Sequence, residues 1–156
     1  MNVPTKIFVA VCLACFIGQV KATSPTFCKS DEQVVFSCLV GRKTASVCLS
    51  PSYKLQFRFG KFDGGPEFVY PLIPDGTNSG FRFLVEGRSA KGSVTNLQFT
   101  HARTTYTIFR FTHSFEGNYA GIAVAKPGSP LIRLTCTEST VQESFFGSLG
   151  ETVGSF

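Results

Sequence analysis

Two histidines, His101 and His113, are the first residues to consider for chemistry, because histidine is the commonest general base in enzymes. Neither belongs to a motif with a defined mechanism. The chain has no Gly-x-Ser-x-Gly elbow, no HExxH and no phosphate-binding glycine loop. Each histidine follows an amphipathic run, which is typical of a position at the surface end of a strand. We therefore predict no catalytic residue; the alternative is a small hydrolase or ligand binder with an unrecognised pocket.

Residues 75–86 place oxygen-bearing side chains at the spacing of a calcium-binding loop. Asp75, Thr77, Ser79 and Glu86 stand at positions 1, 3, 5 and 12, and Gly80 stands at position 6. Only two of these side chains are carboxylates, and the flanking residues have the pattern of strands rather than helices. The segment is interpreted as a polar turn, and no metal or cofactor is predicted.

The N-terminal residues have the pattern of a signal peptide. Lys6 precedes an apolar run over residues 7–17, and the small residue Ala22 follows a short polar stretch. This run is shorter than the ~20 residues that span a bilayer. Cleavage after Ala22 would leave one domain over residues 23–156. A lipoprotein modified at Cys15 is the alternative.

Export and charge restrict the location and the partners of the domain. The full chain has a net charge of +5, and residues 1–22 hold two of its 15 basic residues and none of its 10 acidic ones, which leaves +3. So small an excess does not by itself predict binding to nucleic acid or to a membrane surface. We expect a periplasmic or secreted protein without a membrane span after signal removal. The expected partner is an unknown protein or envelope component.

Four cysteines follow the apolar segment, and an even number in an exported chain indicates disulfides. They are Cys28, Cys38, Cys48 and Cys136, separated by nine, nine and 87 residues. This spacing contains no CxxC pair, which argues against zinc.

Four cysteines allow three pairings, and strand geometry ranks them. If a hairpin turns about Arg42, then Cys48 lies across from a residue near Phe36, towards the end of the strand where Cys28 enters. A Cys28–Cys38 bond would cover several extended residues at ~3.3 Å each. A disulfide allows only ~4.4–6.8 Å between Cα atoms. The pairs Cys28–Cys48 and Cys38–Cys136 are therefore ranked first.

Short alternating runs separated by Gly, Pro, Asn and Asp recur along the rest of the chain, and helical periodicity is nearly absent. The predicted strands cover residues 33–40, 44–50, 53–59, 67–70, 81–87, 93–100, 104–111, 118–125 and 130–137. In the third of these, Tyr53 is expected to share a face with Leu55, Phe57 and Phe59. This spacing predicts an antiparallel sandwich or flattened barrel of about eight or nine strands.

The triplet Phe-Arg-Phe occurs at 57–59, 81–83 and 109–111. On a strand the two phenylalanines share one face and the arginine points to the other. If every phenylalanine pair enters the core, Arg58, Arg82 and Arg110 emerge outside and could form a basic stripe that binds carboxylates or phosphates on a partner. The alternative is ordinary amphipathic strands with one long charged residue on the wet face. The alternation of aromatic and cationic residues does not suit a stacking platform for nucleic acid.

A longer pattern combines a cysteine, an FSC triplet, a Gly/Lys turn, an SVC triplet and a tyrosine-led strand that ends in RFG, followed by a short strand with Glu and a closing Tyr-Pro. Here these are Cys28, Phe36-Ser37-Cys38, Gly41 to Lys43, Ser46-Val47-Cys48, Tyr53, Arg58-Phe59-Gly60, Glu67 and Tyr70-Pro71. The pattern resembles a family of small exported bacterial proteins without an assigned activity. The resemblance implies export and a bacterial origin and supplies no catalytic residue.

The expected function is that of a non-catalytic binding or interaction protein, for example an inhibitor of a hydrolase, by analogy of fold alone.

Overall fold

A computed structural model describes residues 24–74, 78, 80–89 and 91–144. Two five-stranded antiparallel sheets form a sandwich, which confirms the predicted all-β class. Sheet A has the order β10-β1-β2-β3-β4, with β1 (Gln33–Val40), β2 (Lys43–Leu49), β3 (Leu55–Lys61), β4 (Gly65–Tyr70) and β10 (Gln142–Glu143). Sheet B has the order β5-β6-β7-β8-β9, with β5 (Phe81–Ser89), β6 (Gly92–His101), β7 (Thr104–His113), β8 (Tyr119–Ala125) and β9 (Ile132–Thr135).

Several predicted features lie outside the described residues. These are the signal peptide over residues 1–22 and, in the segment with calcium-loop spacing, residues 75–77 and 79. Within the described ranges, no helix has the length and apolar character needed to cross a membrane.

The core lies between the inner faces of the two sheets. In sheet A, Val47 pairs with Phe57, and both side chains are almost fully buried. In sheet B, one row runs through Leu97, Ile108 and Ile122 on adjacent strands. Strand alternation places these side chains on one face, and their burial supplies the main driving force for folding.

Two disulfides reinforce this core, and they are the pairs that strand geometry ranks first. Cys38 in β1 is bonded to Cys136, the residue after β9, so this bond joins sheet A to sheet B. Cys28 is bonded to Cys48 in β2 and fixes the segment that precedes β1. Two disulfides fit an oxidising extracellular compartment.

The outer face of sheet A is covered by residues 24–32, an arrangement that the alternation pattern does not predict. Ser37 and Ser46 pair across β1 and β2 on this face, and both are fully buried. The Ser37 hydroxyl donates to the Pro25 carbonyl at 2.9 Å, and the Phe27 N–H donates to Ser46 Oγ at 2.9 Å. The covering segment therefore converts a predicted wet face into a second, polar interior.

The three arginines do not form a basic stripe, so that expectation is wrong. Arg58 lies in sheet A beneath the covering segment and is only 6% exposed. Arg82 lies in sheet B and is exposed, on the face opposite to its buried sequence neighbours Phe81 and Phe83.

The third triplet differs most from the prediction. Its arginine, Arg110, lies on the same face of β7 as Ile108, which is buried in the core. Its guanidinium lies near the sheet A edge, 2.7 Å from Glu138 Oε1 and 3.3 Å from Glu143 Oε1. Phe109 and Phe111 lie on the opposite, outer face of sheet B, where both contact the Tyr119 ring. Both faces of the β7 sequence carry apolar side chains. Pairing with the neighbouring strands turns the face that carries Ile108 towards the core.

Gly60 in β3 is predicted to tolerate no side chain. A Cβ there would lie 2.4 Å from the Glu67 nitrogen and 2.6 Å from the Gly65 carbonyl oxygen, both rigid backbone atoms. Gly60→Ala is expected to destabilise the protein by about 1–3 kcal/mol through overpacking, measured by urea denaturation. Gly64 in the same hairpin is the matched control, since its nearest neighbour would be 3.8 Å away. Equal losses for Gly60→Ala and Gly64→Ala would contradict this explanation.

Candidate functional site

The two histidines contact neighbouring aromatic rings and backbone N–H groups. His101 is exposed, and its ring packs against the rings of Phe68 and Tyr70, each at 5.7 Å between centroids. His113 Nδ1 accepts hydrogen bonds from the N–H groups of Phe115 and Glu116 at 3.3 and 3.0 Å. Among the described residues, neither imidazole forms a hydrogen bond or ion pair with a serine, aspartate or glutamate side chain. This arrangement gives no support to a nucleophile-and-base pair.

One cluster of potential metal-ligating atoms occurs in the described part of the chain, formed by Cys28, Glu32 and Cys48. Its two sulfurs are bonded to each other and so do not act as thiolate ligands. The Glu32 carboxylate is engaged by Arg58, with both of its oxygens 2.6 Å from guanidinium nitrogens. The cluster is therefore part of a structural network.

A group of exposed apolar side chains lies at the end of sheet A where β2 turns into β3. Tyr53, Leu72 and Ile73 are 68%, 81% and 83% exposed, and we call these three residues the apolar tip. Tyr70 pairs with Phe57, so the chain after β4 continues beside the turn that carries Tyr53. Exposed apolar side chains grouped on adjacent loops are typical of an interaction surface, and tyrosine is enriched at binding hot spots.

Asn78 holds one side of the apolar tip. Its side chain is buried, at 6% residue exposure, and its Nδ2 donates to the Tyr53 carbonyl at 2.7 Å. Its Oδ1 accepts from the Leu55 N–H, also at 2.7 Å. The Asn78 amide thus fixes the backbone on both sides of Lys54. Because this amide is buried, its hydrogen bonds are costly to break.

Gln56 holds the other side of the tip. Its Nε2 donates to the carbonyls of Pro71 and Leu72 at 2.8 and 3.4 Å. Its Oε1 accepts from Arg58 Nε and Nη2 at 2.9 and 2.7 Å, which orients the amide. Arg58 in turn binds Glu32 and the Phe27 carbonyl, so one polar network runs from the covering segment to the tip.

The Tyr53 backbone is fixed in a conformation that tyrosine rarely adopts. Its φ is 59°, in the left-handed region, which costs of order 1–3 kcal/mol for a residue with a side chain. The Tyr53 N–H donates to the Ser50 carbonyl at 2.9 Å, and the Ser50 N–H donates to the Lys54 carbonyl at 3.0 Å. The turn that carries Tyr53 is therefore determined by hydrogen bonds within the fold.

Sequence reasoning missed the apolar tip. It placed Tyr53 inside a strand because its spacing continues the alternation of Leu55 and Phe57. A usable signal was the pair Leu72 and Ile73 between two prolines, because proline removes backbone donors and disfavours a central strand. Two apolar residues in such a segment are expected on a loop and therefore near the surface.

Glu32 should make stability depend on pH. Burial alone raises the pKa of this carboxyl, but hydrogen bonds from Arg58 and the Lys29 N–H, together with the Arg58 charge, leave the pKa below its ordinary 4.5. A carboxyl whose pKa is lower in the folded than in the unfolded state stabilises the fold at pH values above its unfolded pKa. That stabilisation is lost as the pH falls through the folded pKa.

Glu32→Gln is therefore expected to lower stability at pH 7 and to flatten its decline below pH ~5, measured by urea denaturation at several pH values. Glu67→Gln is the matched control. Glu67 also has a lowered pKa, through its hydrogen bond to Lys43, but it is exposed and should contribute little. Parallel pH profiles for wild type and Glu32→Gln would contradict the assignment.

Comparison of the chain with protein-family models, with curated proteins and with solved structures gives no match. The functional argument therefore rests on the geometry of the described residues.

Proposed function

We propose that this protein is an exported, non-catalytic binding domain that docks on a partner protein through the apolar tip. One observation carries the proposal: three large apolar side chains are exposed to solvent on loops whose backbone at Tyr53 and Leu72 is held by buried polar groups. Exposing such side chains gives no benefit to the isolated fold, whereas a partner pocket would bury them.

A rigid tip suits protein recognition because binding then requires little further ordering. Immobilising a side chain or loop on binding costs free energy, so loops that are already ordered bind more tightly for the same contact area. Here Asn78 and Gln56 fix the Tyr53 turn and the Leu72 carbonyl before binding. The fitting partner is a protein with an apolar pocket that accepts one aromatic and two aliphatic side chains.

The location proposed for this function is the periplasm or the extracellular space of a bacterium. The signal-peptide pattern of residues 1–22 supports export, and the family resemblance supports a bacterial origin. Two disulfides are compatible with either compartment.

The proposal is tested by affinity capture with the mature chain, residues 23–156, from envelope extract and culture medium. Leu72→Asp/Ile73→Asp should reduce recovery of the captured partner by roughly tenfold or more, because two unpaired carboxylates would be buried at an apolar interface. Phe115→Asp is the matched control, because Phe115 is also a large apolar loop residue, at 82% exposure, but lies in the turn after β7.

Loss of the partner with Phe115→Asp, or its full retention by the tip variant, would contradict the proposal. So would capture of no partner, or binding to lipid vesicles in its place.

A further inference from the structure

A second candidate site lies at the other end of sheet A, away from the apolar tip. There the turns after β1 and β3, together with β9, enclose a cleft of about 870 Å³. This volume is within the ~300–1,000 Å³ range of small-molecule sites. Its apolar lining consists of Val40, Phe59, Phe62 and Leu134.

The apolar lining continues the protein core outward. Val40, Phe59 and Leu134 pack against the buried cluster yet stay partly exposed, and Phe62 is 55% exposed. Val40 and Phe59 come from sheet A and Leu134 from sheet B, so the cleft lies where the two sheets open at one end of the sandwich. An apolar chain placed there would complete the packing between the sheets.

The rim of the cleft is cationic. Arg42, Lys43 and Lys61 line it, against one carboxylate, Asp63. Lys43 is already engaged, because its Nζ lies 2.6 Å from Glu67 Oε2 and 5.5 Å from the Phe59 ring centre. Arg42 and Lys61 are exposed. The Lys61 backbone N–H and its charge also help to lower the pKa of Glu67, although no salt bridge joins the two side chains among the described residues.

We infer that this cleft binds a long-chain carboxylate, with its alkyl chain against Phe59 and Leu134 and its carboxylate at Arg42 and Lys61. An apolar floor with cations at one rim selects a ligand that is apolar along its length and anionic at its end. A cationic amphiphile would meet like charges, and a short anion would leave the apolar lining exposed to water. This inference goes beyond the proposed function and does not depend on it.

The test is titration of the isotope-labelled mature chain, followed by amide chemical shifts, with sodium dodecanoate below micelle formation. Saturable shifts are expected in residues 40–43 and 59–63 and at Leu134. Acetate supplies the same head group without a chain, and dodecyltrimethylammonium supplies the same chain with the opposite charge. Neither should produce these shifts at matched concentrations.

Arg42→Gln/Lys61→Gln should weaken dodecanoate binding about tenfold. Arg82→Gln/Lys29→Gln is the matched control, since both residues are exposed and neither lines the cleft. Equal affinity for dodecyltrimethylammonium, unchanged affinity in the cleft variant, or shifts confined to the apolar tip would overturn the inference. Binding only to anionic vesicles, without saturable binding of free dodecanoate, would also overturn it.

Discussion

Replacement of Arg58 by alanine is expected to lower the free energy of unfolding by about 3–5 kcal/mol, the typical loss when one partner of a buried ion pair is removed. Two of its nitrogens lie 2.6 Å from the Glu32 oxygens, and a third contact reaches the Phe27 carbonyl at 2.6 Å. The substitution would leave the Glu32 carboxylate largely buried without its cation. It would also leave Gln56 Oε1 without its two donors.

Arg82→Ala is the matched control for this prediction, because Arg82 is also the centre of a Phe-Arg-Phe triplet but is exposed. Its expected effect on stability is within about 0.5 kcal/mol. Replacing both charges, as in Glu32→Leu/Arg58→Met, should cost less than Arg58→Ala, since no unpaired charge is then buried. Urea denaturation measures all three variants. Similar losses for Arg58→Ala and Arg82→Ala would show that the buried pair has no special role.

Removal of the Cys38–Cys136 bond is expected to produce the second large effect. Its residues are 98 apart in the chain, whereas Cys28 and Cys48 are 20 apart. A cross-link restricts the unfolded chain more when it closes a longer loop, with values of ~3 kcal/mol for 15 residues and ~4.7 kcal/mol for 100. Cys38→Ala/Cys136→Ala should therefore lose more stability than Cys28→Ala/Cys48→Ala.

Thermal and urea unfolding of the oxidised wild type and the two double variants test this order. A loss of about 2–5 kcal/mol is expected for Cys38→Ala/Cys136→Ala, which also removes the covalent link between the sheets. The reverse order would show that loop length in the unfolded chain does not determine the loss of stability. It would also show that fixing the covering segment contributes more.

The strands were predictable because alternation is a local signal. The predicted strand over residues 33–40 coincides with β1, and those starting at 81 and 104 begin where β5 and β7 begin. Gly41 adopts a φ of 59° in the turn after β1, as expected of a glycine in a tight hairpin. The Cys28–Cys48 pair followed from the same local geometry, and Cys38–Cys136 was the pair that remained.

The positions of the arginines could not be predicted in the same way, because alternation defines two faces without showing what covers each. Arg58 lies on the face that alternation makes wet, but residues 24–32 fold over it. Arg110 lies on the inner face because Ile108 and its cross-strand partners form the core row. Both outcomes depend on contacts between segments far apart in the chain.

The apolar tip depends on such contacts as well. Asn78 reaches Tyr53 across 25 positions in the chain, and Gln56 reaches Pro71 across 15. The Tyr53 spacing continues the alternation of β3, but the Asn78 bond holds the Tyr53 carbonyl in the turn before β3. Local pattern therefore predicts the scaffold, and side-chain contacts between loops create the candidate site.

Site-specific photocrosslinking in cells tests the proposed docking surface most directly. A benzophenone amino acid is placed at position 73 in the apolar tip or, as the control, at position 115 in the turn after β7. The proposal predicts one dominant covalent adduct with a partner protein from position 73 and none from position 115. Adducts from position 115 alone, or from neither position, would contradict it.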